Sequence, residues 1–357
     1  MSYYIRKLFN RNYQKYLVSG VVISGFVLLI KYGQHKLEQW RKQEVQQMLV
    51  RSKRRQHFES IEKSCHNTIT KLSKCVKVSV LETLDSSSVI QDLKDGKCDK
   101  IVSWNKLKLY SFCRTVVIIY ANTILAIILR IQLSLTSAHM FKQSQEITET
   151  YSIDSIVQEQ YLTLCSYFVE DGIGHLIGLV KEKVEEVIGA IPLIEKLGIK
   201  DLEDKYWKIT SVISVDKERD PVKNLAKYVL PPSVQETMNP ALEKLINSTL
   251  DLLESNEVQS LMQSSVRSGF VLILDRLSNN FINVDIKNDP LTPESTNGHI
   301  FTELNNIKIP MAKIIPMLNR QVDNFNNDDL HSTWIKTLIE DEKLRNFGAN
   351  IYEAFSF

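Results

Sequence analysis

The chain has 357 residues, of which 43% are hydrophobic and 24% charged, and only 12 are glycine and 9 proline. This composition favours long helices and argues against a turn-rich β architecture. The net charge of +2 hides a basic head, because residues 1–60 hold twelve Lys or Arg against three Glu, so the remainder is acidic. That asymmetry excludes nucleic-acid binding along the whole chain and indicates membrane contact at one end.

The first element in the chain is an uncharged run of fourteen residues, Leu17–Ile30, with tyrosine and lysine on both sides. At ~1.5 Å per residue it spans roughly 21 Å, and the flanking residues extend it by snorkelling toward the ~30 Å hydrocarbon core. We predict a transmembrane helix over residues 16–33, a basic N-terminus over 1–15 and a body over 34–357. A signal peptide, a mitochondrial presequence and a buried core helix are the competing interpretations. No small-residue cleavage site follows the run, and it is apolar all round.

The orientation of this anchor stays open, because four basic residues lie in residues 6–15 before it and four in residues 31–42 after it. The five cysteines are scattered and form no CxxC pair, so they indicate neither a disulfide framework nor a zinc site. Such cysteines are typical of a reducing compartment, which weakly places the body in the cytosol.

Beyond the anchor, residues 34 to about 84 have the pattern of one long helix with basic and amide residues on its surface. The basic segment Arg51–Arg55 fits a helix face near anionic lipid headgroups or an ordinary solvated face. Residues 86–99 are polar and contain Gly96, which predicts a connection.

A second uncharged run of fifteen residues lies between Arg114 and Arg130. A second transmembrane helix is one interpretation of this run. We favour the buried central helix of a large bundle, because the run is short, contains Asn122 and is bounded closely by arginine.

Helical spacing returns in several later segments, and a break is expected in the first of them near Asp171–Gly174. Residues 288–306 lack periodicity and predict a surface loop. No strand pattern and no internal repeat stands out, so the predicted fold is all-α, with a single N-terminal transmembrane helix followed by a large bundle of long helices. The predicted helical segments are residues 153–190, 241–253, 258–281, 310–322 and 333–355.

No catalytic motif is present: the sequence has no phosphate-binding glycine loop, no HExxH and no GxSxG. The seven histidines do not stand at metal-ligand spacing with Cys, Asp or Glu. We therefore predict no catalytic residue, no metal site, no cofactor and no small-molecule substrate, and we expect a binding protein and not an enzyme.

A binding position is indicated where the polar connection meets the central helix. Trp104 stands one turn after Lys100 and one turn before Leu107, which could place the three on one exposed helix face. An aromatic anchor beside a leucine and a lysine suits a groove for an amphipathic partner helix with acidic residues. The competing interpretation is that Trp104 only closes the end of the bundle.

Separated sequence blocks, in order along the chain, resemble those of the peroxisomal biogenesis factor three (peroxin three) family. They run from the anchor to the last residues. The blocks are KYGQ at 31–34, HFES at 57–60, LRIQL at 129–133, AKIIP at 312–316 and ANIYEAFS at 349–356.

This resemblance implies a twisted bundle of long helices in the peroxisomal membrane, single-pass, with the N-terminus in the matrix and the body in the cytosol. It implies docking of peroxin nineteen, the receptor and chaperone for newly made peroxisomal membrane proteins, and promotion of their insertion. The implied partner-binding residues are Trp104, Lys100, Leu107 and, as a weaker candidate, Lys313. The implied targeting residues are Arg6, Lys7, Arg11 and Lys15. The lipid of the peroxisomal membrane is the second implied partner.

The alternative function is that of a membrane tether or adaptor that binds other proteins or anionic lipid through the basic surface near residues 41–55.

Overall fold

The computed structural model describes residues 2–96, 99–145, 154–232, 239–288, 307–323 and 329–356. Side chains are described from residue 36 onward, except at residue 145, at residues 283–288 and in the gaps between these ranges. The elements are α1 (Ser2–Thr83), α2 (Ser86–Asp95), α3 (Lys100–Gln145), α4 (Ser155–Tyr167), a π-helical turn (Phe168–Gly172), α5 (Ile173–Ile188), β1 (Lys196–Leu197), α6 (Ile199–Val215), α7 (Leu225–Val229), α8 (Pro240–Glu254), α9 (Asn256–Asn288), β2 (Ile309–Pro310), α10 (Met311–Asp323), α11 (Leu330–Glu340) and α12 (Glu342–Phe355).

The all-α class predicted from composition is confirmed, and the described strands are two residues each. β1 and β2 pair antiparallel, with Lys196 opposite Pro310 and Leu197 opposite Ile309. This short pairing joins the start of α10 to the segment between α5 and α6.

The chain forms two compact units, residues 1–59 and residues 60–357. In the first unit, the described part of α1 is mostly exposed, and the side chains of Leu37 and Trp40 are 67% and 64% exposed. Ion pairs one turn apart, such as Lys42 with Glu38, support this stretch of helix. The predicted anchor at residues 16–33 lies in the helical part of α1 whose side chains are outside the described residues, so the anchor stays a prediction.

The second unit is organised around α3, which packs against α2, α4, α5 and α7–α12. The uncharged run between Arg114 and Arg130 is buried along its length. By length and composition α3 could cross a membrane, but 94% of its most apolar window is buried inside the protein. The predicted central helix of a bundle is therefore confirmed.

Three buried cations on α3 reach backbone carbonyls near the C-terminal ends of neighbouring helices. Lys108 donates from Nζ to the carbonyl oxygens of Gly189 and Ile191, just beyond α5, at 3.0 and 2.6 Å. Burial lowers the pKa of the Lys108 ammonium, and the nearby Glu195 carboxylate opposes this shift. A cation at a helix C-terminus is stabilised by the partial negative charge of the unpaired carbonyls.

The arginines that bound the uncharged run act in the same way. Arg114 donates from Nε to Leu84 O at 2.7 Å, just past the end of α1. Arg130 donates from Nη1 to the Glu62 carboxylate at 2.6 Å and from Nη2 to Ile339 O at 3.3 Å, in the last turn of α11. The ends of the central run are thus tied to other helices through charged hydrogen bonds.

A π-helical turn occupies the position where a helix break was expected. A Cβ at Gly172 would collide with the carbonyl oxygen of Tyr228, so glycine permits α7 to pass against this turn. The chain therefore continues from α4 into α5 through residues 168–172 instead of ending there.

Two other expectations need correction. Residues 86–99 are not only a connection, because α2 fills most of them: the Asp85 carboxylate caps its N-terminus and Gly96 ends it with φ of 67°. The segment 333–355 is two helices, divided where Asp341 caps α12. The expected surface loop at 288–306 lies, apart from its first residue, outside the described residues.

The substitution Lys108→Met tests the first of the buried cations. Removing the ammonium leaves the carbonyls of Gly189 and Ile191 without their donor, so we expect the free energy of unfolding to fall by about 1–3 kcal/mol. Thermal and denaturant unfolding of the chain in detergent micelles measure this. Lys63→Met, at an exposed position of α1, is the matched control. Equal stability of the two variants would contradict a stabilising role of Lys108 at these carbonyls.

Buried His139 gives the fold a dependence on pH. Burial first, and then Lys244 and Lys142, lower the pKa of His139 to about 4. The unfolded chain binds a proton at His139 near pH 6.5, whereas the folded chain does not. The contribution of His139 to the free energy of unfolding is therefore fully present above pH 6.5 and is lost as the pH falls toward 4. Burial also lowers the pKa of His66 and His331, so they contribute in the same direction.

We expect the free energy of unfolding of His139→Leu to fall less between pH 7 and pH 4 than that of the wild type. The difference between the two decreases should be at most about 3 kcal/mol. The measurement is the melting temperature as a function of pH for the wild type and the variant. Parallel pH profiles would show that His139 is protonated in the folded chain.

Candidate functional site

A groove of about 580 Å³ lies among α2, the first turns of α3, and α10, all within the second unit. Apolar side chains form most of its surface, with charged side chains among them. Its lining residues are Ile90, Leu93, Lys94, Lys100, Trp104, Leu107, Ile315, Pro316, Asn319, Arg320 and Asp323.

The first wall comes from α2, which lies in the segment predicted from the sequence to be a connection. Asp85 Oδ1 accepts hydrogen bonds from the amides of Ser87 and Ser88 at 2.8 and 3.2 Å, which fixes the start of the helix. These hydrogen bonds lower the pKa of the Asp85 carboxyl, that of Ser88 having the largest effect. The capped helix then presents Ile90 and Leu93 toward the groove.

The second wall is the N-terminal part of α3, where Lys100, Trp104 and Leu107 share one face by their spacing of four and three residues. Trp104 is partly buried and packs against the hydrophobic core, so one part of the indole lies against the protein and another lines the groove. Leu107 is only 2% exposed. It lies at the base of the groove and not on an exposed face, which corrects the expectation for this residue.

The third wall is α10. Its first amides bond to the segment before β1, with Met311 N to Glu195 O at 2.8 Å and Ala312 N to Leu193 O at 3.0 Å. Pro316 lies inside the helix and is exposed at the groove. Because a proline has no backbone N–H, it cannot donate the helical hydrogen bond to the carbonyl oxygen one turn earlier.

The charges around the groove are predominantly positive. Lys94, Lys100 and Arg320 are exposed side chains that line it, one on each wall. Asp323 also lines the groove, but its Oδ1 accepts a hydrogen bond from buried Arg114 Nη1 at 2.8 Å. The groove therefore combines an apolar surface with a cationic rim, and its carboxylate is already paired with an internal arginine.

The structure brings three of the four predicted partner-binding residues together in one groove: Lys100, Trp104 and Leu107. The fourth, Lys313, is exposed on α10 but does not line the groove. The predicted targeting residues Arg6, Lys7, Arg11 and Lys15 fall on the part of α1 whose side chains are outside the described residues.

Sequence reasoning missed the contributions of α2 and α10 to this site. The Asp85 cap and Gly96 were readable signals for α2. The apolar face of α10 was readable as a helix, but nothing local indicates that Ile315 and Pro316 lie opposite Trp104. In the described part of the chain, no group of three or more His, Cys, Asp or Glu is arranged to hold a metal ion.

Comparison with known proteins gives a match to the family model described as Peroxin-3, over residues 7–103 and 136–354. Lys100 and α10 fall within the matched ranges, whereas Trp104 and Leu107 fall in the interval between them. The assignment of the last two residues therefore depends on the geometry of the groove.

Curated relatives match over almost the whole chain. The chain is 28% identical to peroxisomal biogenesis factor 3 of Cricetulus longicaudatus, covering 99% of this chain and 98% of that protein. It is also 28% identical to the Homo sapiens protein of the same name, covering 97% and 95%. A more distant relative, peroxisome biogenesis protein 3-2 of Arabidopsis thaliana, is 23% identical and covers 90% of each.

Proposed function

The chain belongs to the Peroxin-3 family of peroxisome biogenesis proteins, and on this basis we propose that it is a docking receptor of the peroxisomal membrane. Its partner is peroxin nineteen carrying newly made membrane proteins, and docking promotes their insertion. We place residues 1–15 in the matrix, residues 16–33 in the membrane lipid and the body in the cytosol. No catalytic step is part of this proposal.

The groove among α2, α3 and α10 is the single observation that supports this function best. An amphipathic helix binds by laying its apolar face into an apolar groove. Here Trp104 and Leu107 supply apolar contact from one wall, and Ile315 supplies it from another. Tryptophan in such a position commonly contributes more binding free energy than its neighbours.

The charge of the groove restricts the class of partner. Lys94, Lys100 and Arg320 attract acidic residues that flank the apolar face of a bound helix. A partner helix with basic flanks is repelled by the same side chains. The N-terminal amphipathic helix of peroxin nineteen is the occupant that we propose.

The substitution Trp104→Ala tests the site. We expect the dissociation constant for a synthetic peptide of the peroxin nineteen N-terminal helix to rise by at least roughly thirtyfold, because the indole provides the largest apolar contact in the groove. Isothermal titration of the full chain in lipid nanodiscs measures the change, with circular dichroism to verify that the helices remain.

Trp40→Ala is the matched control, because Trp40 is 64% exposed on α1 and lies outside the groove. Its affinity for the peptide should equal that of the wild type. An unchanged affinity in Trp104→Ala would contradict the site but not the partner, because the peptide would still bind the chain.

Reversing two charges of the rim, in the double variant Lys94→Glu and Lys100→Glu, tests the electrostatic part. We expect the association rate constant to fall by roughly tenfold at low ionic strength, with a weaker dependence on salt, because rim charges act on the approach of the partner. Stopped-flow fluorescence at several salt concentrations measures both. The double variant Lys63→Glu and Lys71→Glu, at exposed positions of α1, is the control for net charge. An equal effect of the two double variants would show that the rim has no local role.

A further inference from the structure

One polar side chain interrupts the apolar surface of the groove. Asn319, on α10, lines the groove and is 7% exposed. Its Oδ1 is buried and receives no hydrogen bond from any residue in the described part of the chain. A buried acceptor without a donor destabilises the folded protein, so its presence in a binding groove needs a physical reason.

Two other amides with unpaired oxygens, Asn122 and Gln132, differ from Asn319 in both bonding and place. Asn122 Nδ2 donates to Ile118 O at 2.9 Å, and Gln132 Nε2 donates to Tyr161 O at 3.0 Å. Both are completely buried on α3, and neither lines the groove. Those two amides serve the core, whereas Asn319 faces the space that an occupant fills.

The buried guanidinium that reaches the end of α10 is already used. Arg114 gives its Nη1 to Asp323 and its Nε to Leu84 O. The neighbours of Asn319 one turn earlier on α10 are Ile315 and Pro316, which have no side-chain donor. No described residue donates to Asn319 Oδ1, so an occupant of the groove that exchanges a hydrogen bond with this amide would satisfy it.

We propose that Asn319 is a specificity-determining residue of the groove, which exchanges a hydrogen bond with one neutral polar side chain in the otherwise apolar face of the bound helix. A half-turn about χ2 exchanges the oxygen and nitrogen of the amide, so either end can meet the occupant. The side chain is neutral because Lys94, Lys100 and Arg320 repel a cationic donor, and because burying a carboxylate in the apolar part of the groove costs more free energy than burying an amide. The inference rests on the proposed function and adds a chemical requirement on the partner helix.

Designed peptides test this requirement directly. The first is an amphipathic helix with acidic flanks and an all-leucine apolar face, and the others carry a single Leu→Gln change at each position of that face in turn. They are titrated against the full chain in lipid nanodiscs, as wild type and as Asn319→Leu. The quantity compared is the ratio of the dissociation constants of each glutamine peptide and the all-leucine peptide.

For the wild type, we expect one glutamine position at which the peptide binds at least as tightly as the all-leucine peptide. In Asn319→Leu, that glutamine peptide should bind roughly tenfold more weakly relative to the all-leucine peptide than it does in the wild type. The reason is that the hydrogen bond is gone and the groove is apolar at this position. A ratio that is the same in wild type and variant at every position overturns the proposal. Asn67→Leu, at an exposed position of α1, is the matched control and should leave every ratio unchanged.

Asn319→Ala provides a second variant should the leucine side chain not fit, and it should remove the same preference. Thermal unfolding accompanies each titration, because replacing an unpaired buried amide by an apolar group is expected to leave stability unchanged or raise it. Failure of the proposed function looks different: no peptide of either kind would then bind the folded wild type. Binding without any difference in the ratios refutes the role of Asn319 alone.

Discussion

The fold of the second unit depends on one constraint: a helix whose central run is buried must still satisfy the polar groups around it. The helix α3 does so with Lys108, Arg114 and Arg130, whose cationic ends lie at backbone carbonyls just beyond α5 and α1 and in the last turn of α11. A buried charge is tolerated only where hydrogen bonds and opposite charge replace water, and helix C-termini provide both. Within the run between the arginines, Asn122 Nδ2 and Thr123 Oγ1 donate to backbone carbonyls four residues earlier on the same helix.

Arg114 connects this constraint to the groove among α2, α3 and α10. It belongs to α3, bonds to the carbonyl after α1 that immediately precedes α2, and pairs with Asp323 at the end of α10. The three walls of the groove are therefore joined through one guanidinium whose geometry is fixed by its planar set of donors. This arrangement keeps the single carboxylate of the groove lining occupied and leaves the exposed cations Lys94, Lys100 and Arg320 to set its charge.

Sequence reasoning was most successful where the signal was local and continuous. The uncharged run between two arginines predicted the central helix, and the spacing of Lys100, Trp104 and Leu107 predicted a common face. It failed at α2, where the polar serines hid a helix that Asp85 and Gly96 delimit, and it passed over α6 completely. It also could not foresee that Leu107 would be buried or that α10 would close the groove, because these follow from tertiary packing and not from any local pattern. The sequence blocks that resemble the family identified it correctly, because they are spread along the whole chain.

The pairing of β1 with β2 has a consequence for the order in which the protein matures. The wall formed by α10 is held by the contact of residues 196–197 with residues 309–310, which are distant in sequence. Contacts of such separation close large loops and form late in folding. During synthesis, α2 and the start of α3 leave the ribosome long before α10 exists, so they present only two sides of the groove. The proposed site is therefore complete only when the polypeptide is nearly complete.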